Sequence, residues 1–210
     1  MPKILIPNIE EKLRKDGIFL LAGADEAGRG PLAGPVVCAM VMFDKTPKIK
    51  GLTDSKKTTE RQREKLFREI IKKAKSYAIS IVPNDLIDEI NISASIRFGF
   101  KQCLINLEPK PEIILVDGND KQIFETEYIL VKKGDLYVKS ISAASILAKV
   151  TRDYLMKGYY SKKFPNYEFE KHLGYGTRKH REIIEKFGRS KIHRQTFKFK
   201  NEKQKTLDLW

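Results

Sequence analysis

The sequence predicts an α/β layer fold with a mixed central sheet flanked by helices. Three observations predict it. Short apolar runs bounded by Gly, Pro or Asp come first, at residues 18–24 and 35–43, as buried strands do. Segments of helical spacing then alternate with further strands. Hydrophobic residues make up 41% of the 210-residue chain, enough to pack a core and too many for a disordered one.

The first sixteen residues read as a short amphipathic helix ahead of the domain. Residues 18–24 (Ile-Phe-Leu-Leu-Ala-Gly-Ala) form a central strand between Gly17 and Asp25. A Gly- and Pro-rich turn over 26–34 leads to a Val- and Met-rich strand at 35–43. Thr58 or Thr59 can cap a helix, with Gln62 completing a capping box from Thr59, and Leu66, Phe67, Ile70, Ile71 and Ala74 follow at helical spacing. Residues 77–82 alternate like a strand. Ile92, Ile96, Phe100, Cys103 and Leu107 mark one face of a second helix. Residues 112–116 and 128–131 are strands, and the first ends at Asp117-Gly118. A helix at 141–155 carries Ala143, Ala144, Ser145 and Ala148, small enough for close packing. Residues 178–187 form the last amphipathic helix, and 198–210 read as a flexible tail.

Lys and Arg number 41 against 27 Asp and Glu, a formal net charge of +14. Such a field favours phosphate backbones and says nothing of fold. No apolar stretch approaches the ~20 residues of a membrane span, and the amino-terminal run is too short for a secretory signal, so a cytoplasmic protein is expected. Cys38 and Cys103 sit in apolar runs as small core residues. His172, His180 and His193 show no metal-ligand spacing, and His180 is read as packing or helix surface. Asp153, mid-helix beside Tyr154, is read as solvated.

Asp25-Glu26 follows directly on one apolar strand and Asp117 on another. Neighbouring strands would bring these ends together, a usual place for a ligand in an α/β sheet. Clustered carboxylates repel one another, and divalent cations with oxygen ligands relieve the repulsion. From position alone, a metal site and ordinary turn acids both remain open.

The residues carry more in combination. Ala24-Asp25-Glu26-Ala27-Gly28-Arg29-Gly30-Pro31-Leu32-Ala33-Gly34-Pro35 resembles the signature of the ribonuclease HII family. The resemblance continues through Asp54-Ser55-Lys56-Lys57, Val116-Asp117-Gly118, Lys133-Gly134-Asp135, Ile141 to Val150 followed by Arg152-Asp153, Gly174-Tyr175-Gly176, and His193-Arg194-Gln195-Thr196-Phe197. It spans almost all of 18–199, in order and spacing. It implies a ribonuclease H-like fold, with a catalytic domain over 17–160, a carboxy-terminal helical extension over 161–197 and a flexible tail from 198.

The resemblance also implies a four-carboxylate site, Asp25, Glu26, Asp117 and Asp135, holding two Mg²⁺ or Mn²⁺ ions. Asp135 comes from the resemblance alone; a Lys-Gly-Asp loop otherwise reads as a surface turn. Gly28, Arg29 and Gly30 would sense the ribose 2′-hydroxyl that separates RNA from DNA, and Glu26 would touch it as well. Tyr175 would pack on the deoxyribose beyond the scissile phosphate. Lys56 and Lys57 would hold phosphates, and Ser142 and Ser145 would support strand binding. Leu173 stands where many members carry Lys, and Thr196 where Ser is common.

The implied activity is endonucleolytic cleavage of the RNA strand of RNA–DNA hybrids. Cleavage on the 5′ side of ribonucleotides embedded in duplex DNA follows too, as in ribonucleotide excision repair, leaving 3′-hydroxyl and 5′-phosphate ends. Two rivals stand beside it: a non-catalytic hybrid-binding module, and a DNA-specific nuclease of the same superfamily. A monomer is the default. Gln204, Leu207, Leu209 and Trp210 give the polar tail an apolar end, similar to short peptides that dock replication sliding clamps.

Overall fold

The computed structural model of the chain describes residues 8–52, 58–119 and 125–199. Lys56 and Lys57 therefore lie outside the described residues, as do Gln204, Leu207, Leu209 and Trp210. The sheet is built from β1 (Leu21–Ala27), β2 (Val36–Met42), β3 (Ser76–Val82), β4 (Ile113–Asp117) and β5 (Glu127–Val131). Its order is β3-β2-β1-β4-β5. β1, β2 and β3 pair antiparallel, while β4 and β5 run parallel to β1, so the sheet is mixed as expected.

The helices are α1 (Ile9–Lys15), α2 (Glu60–Lys73), α3 (Asn84–Ile90), α4 (Ile92–Asn106), the single turn α5 (Gly134–Tyr137) and α6 (Lys139–Tyr154). Beyond a π-helical stretch, Leu155–Tyr160, come the short α7 (Ser161–Lys163), α8 (Phe169–His172) and finally α9 (Arg178–Phe187). The capping box of α2 forms as read: Thr59 Oγ1 accepts the Gln62 N–H, and Gln62 Oε1 accepts the Thr59 N–H. Position 160 falls inside a continuous helical run from Lys139 to Lys163, so no linker separates the two parts there.

β1 alternates faces, as every strand must. Ala22 and Ala24 join Val36, Cys38 and Met40 under α3 and α4, around Ile96, Phe100 and Cys103. On the opposite face Val37, Ala39 and Val41 meet α2 and α6 through Leu66, Ile70, Ala143, Ala144 and Ala148. The small residues of α6 permit close approach, and Gly23 completes it. A Cβ at Gly23 would lie 2.1 Å from the Ser140 carbonyl carbon, so only glycine lets α6 settle on β1 there. A separate core of Ala33, Met156, Tyr167, Phe169, Ile183 and Ile192 ties the carboxy-terminal helices to the loop between β1 and β2.

Two expectations need correction. β1 does not end at Ala24. Its ladder with β2 continues through Asp25↔Ala39, Glu26↔Cys38 and Ala27↔Val37, because backbone pairing is indifferent to side-chain polarity. Residues 84–90, assigned no element in the sequence, form α3.

Candidate active site

Ala24 lies opposite Val116 in the parallel β1–β4 pair. One step further along each strand stand Asp25 and Asp117, so the sheet itself brings these two acids to one edge. Asp117 pairs in turn with Val131 of β5. The chain then turns through Lys133, which takes a left-handed conformation at φ 56°, and enters α5. Gly134 donates its N–H to Asp117 Oδ1 at 2.6 Å, and Asp135 follows. The Lys-Gly-Asp segment is thus no surface turn: Asp135 is 6% exposed.

Asp25, Glu26, Asp117 and Asp135 line one open cavity of about 510 Å³. Gly28, Arg29, Gly30, Ser145 and Tyr175 line it too. Sequence reasoning missed two further charged members, Arg63 from α2 and Lys149 from α6. Lys149 stands in the Ile141–Val150 motif, which is a signal for it. Arg63 lies on an ordinary amphipathic helix and gave none. A larger hollow of about 610 Å³ between α2 and α6 shares Arg63. Its charges include the Lys157–Glu60 pair at 2.5 Å, and it holds no such gathering of acids from separate strands.

The electrostatics follow from the packing. Burial pushes the Asp25 carboxyl well above the usual range, and the charges of Glu26 and Asp117 push it the same way. A hydrogen bond from Ser145 and the Glu26 N–H, at 2.7 Å, work against that rise. Glu26 Oε1 lies 3.6 Å from Arg29 Nη1. Asp153, expected in solvent, is 7% exposed; Lys149 Nζ reaches its Oδ1 at 2.6 Å and Arg63 approaches its Oδ2 at 3.9 Å.

Gly28 has φ +97°, and a Cβ there would lie 2.2 Å from Arg152 Nε. Both the conformation and the space require glycine. Tyr175 is 41% exposed, and the Arg152 guanidinium lies 5.5 Å from its ring centroid. Ser142 does not reach the cavity. It is 1% exposed, and its hydroxyl lies 2.7 and 3.0 Å from the carbonyl oxygens of Asp135 and Val138, to which its one proton is directed. Leu173 adopts φ 54°, packs on the carboxy-terminal core and offers its carbonyl to Arg152.

The three histidines, eight and thirteen positions apart in sequence, come together in space. The rings of His172 and His180 stack at 4.0 Å, and His180 Nε2 meets His193 Nε2 at 3.0 Å. Burial drives all three values down, to about 4 for His180 and about 3 for His193. They are neutral packing groups, and His180 also holds the Tyr175 carbonyl at 2.9 Å.

The donor set suits a hard divalent cation: four carboxylates, one of them held up by burial and its neighbours' charges. In the present arrangement Asp117 and Glu26 face protein donors, and among the described residues no three acids converge on one ion position. The residues fit a cation in chemistry and in shared cavity, with their side chains turned to protein partners.

The family model for Ribonuclease HII matches residues 22–200. The Ribonuclease HII of Caldicellulosiruptor bescii is 48% identical over 190 residues, which cover 90% of this chain and 91% of that one. Among solved structures, the ribonuclease H2 of Pyrococcus horikoshii is similar at 31% identity and a TM-score of 0.70, covering 84% of this chain and 93% of its own. The Archaeoglobus fulgidus RNase HII, solved in complex with PCNA, matches at 28% identity and a TM-score of 0.73, over 90% and 98% of the two chains. The chain belongs to the ribonuclease HII family, and with it to the endonucleases that act on RNA–DNA hybrids.

Proposed function

We propose that the chain cuts the phosphodiester on the 5′ side of a ribonucleotide, in RNA–DNA hybrids and in duplex DNA carrying single ribonucleotides. The products are a 3′-hydroxyl and a 5′-phosphate. One observation carries the reading: acids from β1, β4 and α5 share a cavity with a glycine-lined loop and a half-exposed tyrosine. Asp25, Glu26, Asp117 and Asp135 would hold two Mg²⁺ or Mn²⁺ ions, which when bound supply an activated water and stabilise charge on the leaving oxygen.

The protein's own groups do the rest. Ser145 steadies Asp25 by its hydrogen bond. Gly28, Arg29 and Gly30 present backbone at the cavity wall, where a ribose 2′-hydroxyl can be read. The Tyr175 ring, backed by Arg152, offers a flat apolar face to the neighbouring deoxyribose. Arg63 and Lys149, which line the same cavity beside Asp153, would add positive charge for phosphates.

The test uses a long RNA–DNA hybrid, an all-DNA duplex, Mg²⁺, Mn²⁺ and a chelator. Cutting of the RNA strand alone, lost with chelator, is expected. Binding without cutting in either metal would turn the chain into a hybrid-binding module. Equal cutting of DNA would make it a general nuclease.

The tail supports a second partner. Gln204, Leu207, Leu209 and Trp210 supply the anchors of a clamp-docking peptide, and the Archaeoglobus relative was solved with PCNA. Alanine at Leu209 and Trp210 is expected to abolish capture by a replication sliding clamp while hybrid cleavage persists. Unchanged capture would remove this assignment.

A further inference from the structure

Arg152 and Arg194 are the two largest fully buried side chains among the described residues, each 0% exposed. No ion pair joins either to a carboxylate there. Burying a guanidinium without a counter-charge is costly unless every donor is met. Each directs three of its five N–H donors at backbone carbonyls, one from each guanidinium nitrogen. Arg152 donates to Ala33, Pro35 and Leu173 at 3.1, 2.9 and 3.1 Å. Arg194 donates to Gly28, Arg29 and Gly34 at 2.6, 3.0 and 3.0 Å. Burial lowers both values, and Arg194, with Arg152 as the next cause, falls to about 9.

Five of those six carbonyls belong to the loop between β1 and β2. The sixth belongs to Leu173, two residues before Tyr175. The segment carrying Arg194 is itself fixed: its N–H donates to Leu32 O at 2.8 Å, and Asp88 accepts the N–H groups of Gln195 and Thr196 at 2.8 and 2.9 Å. In a trans peptide the C=O and N–H point opposite ways. With the Gly28 and Arg29 carbonyls turned into Arg194, the N–H groups of Arg29 and Gly30 point away from it. Both residues line the carboxylate cavity.

We propose that Arg152 and Arg194 are positioning residues for the sugar-reading edge of the site. They fix the peptide planes of residues 28–30 and their separation from Tyr175. They thereby set how strongly a lone ribonucleotide in DNA is distinguished from a continuous hybrid. This rests on the reading that the loop and Tyr175 contact the sugars. Lysine in either place would keep the charge and lose the fork that spans three carbonyls.

The experiment compares the full-length chain with Arg194→Lys, Arg152→Lys and, as a destabilised control, Leu107→Ala in the α4 core. Steady-state kcat and KM are measured on a duplex with one ribonucleotide and on a long hybrid. Hydrogen exchange is followed over residues 28–34 and 113–117. For each arginine variant, kcat/KM on the single ribonucleotide is expected to fall by about 100-fold. The ratio of the two substrates' kcat/KM should move by most of that factor, and exchange should quicken only over 28–34. Leu107→Ala should lower stability and leave the ratio alone.

Equal losses on both substrates, or an unchanged 28–34 segment, would overturn the proposal. If Arg194→Lys does not fold, Arg152→Lys carries the same comparison. A wild-type protein that cuts neither substrate would remove the sugar-reading role, and exchange would then judge the loop clamp by itself.

Discussion

Asp117 Oδ1 accepts the Gly134 N–H at 2.6 Å, and this bond ties the end of β4 to the turn that presents Asp135. Two acids 18 positions apart in the chain are thereby set as one unit. Burial and like charge make the cluster costly to hold, and the cost is the mark of a site kept for binding.

Asp117→Asn separates charge from shape. The amide oxygen can still accept from Gly134, while one negative charge leaves the cluster. Cleavage of a long hybrid is expected to fall by about 100-fold or more. Thermal unfolding should stay where it was or move upward. A variant that lost stability in step with activity would mean that Asp117 serves the fold alone.

Gly23→Ala tests the contact that brings Ser145 to Asp25. The added methyl would lie 2.1 Å from the Ser140 backbone carbon, so β1 and α6 must part. Urea denaturation should report a loss of at least about 1–3 kcal/mol. An unchanged midpoint would show that α6 has room to move.

The histidine trio gives stability a pH dependence. His193 is pushed down to about 3 and His180 to about 4, burial being the first cause of each. The folded chain therefore keeps these rings neutral where the unfolded chain, titrating at about 6.5, takes up protons. Their contribution is complete above about pH 6.5 and declines as the pH falls toward the folded values. Arg189 and the other two rings face His193 with positive charge or none, which deepens the effect. His193→Gln should flatten the slope of unfolding free energy between pH 6.5 and 4, measured by chemical denaturation at each pH. A parallel slope would assign the acid sensitivity to other groups.

The sheet and most helices were legible because apolar period and length report burial directly. Thr59 and Gln62 announced their own helix start. Asp25 reads as the boundary of the first strand and Glu26 as the start of the turn, since polar side chains at a strand end look like loop residues, yet the β2 ladder runs past them. Asp135 was legible only through a resemblance, because Lys-Gly-Asp carries no burial signal. Asp153 pairs with Lys149 one turn earlier on the same helix, a spacing visible in the sequence, but its burial and its approach to Arg63 arise only where α2 packs on α6. Arg152 and Arg194 stand in family motifs, but a lone arginine in sequence suggests solvent; its burial depends on carbonyls more than a hundred residues away.

The most direct test is cleavage of a DNA duplex carrying one embedded ribonucleotide, with Mg²⁺, with chelator, and with Asp25→Asn. A single cut on the 5′ side of the ribonucleotide, ending in 3′-hydroxyl and 5′-phosphate and lost in both controls, is expected. No cut at the ribonucleotide while long hybrids are still cleaved, or a cut that survives Asp25→Asn, would contradict the proposed function.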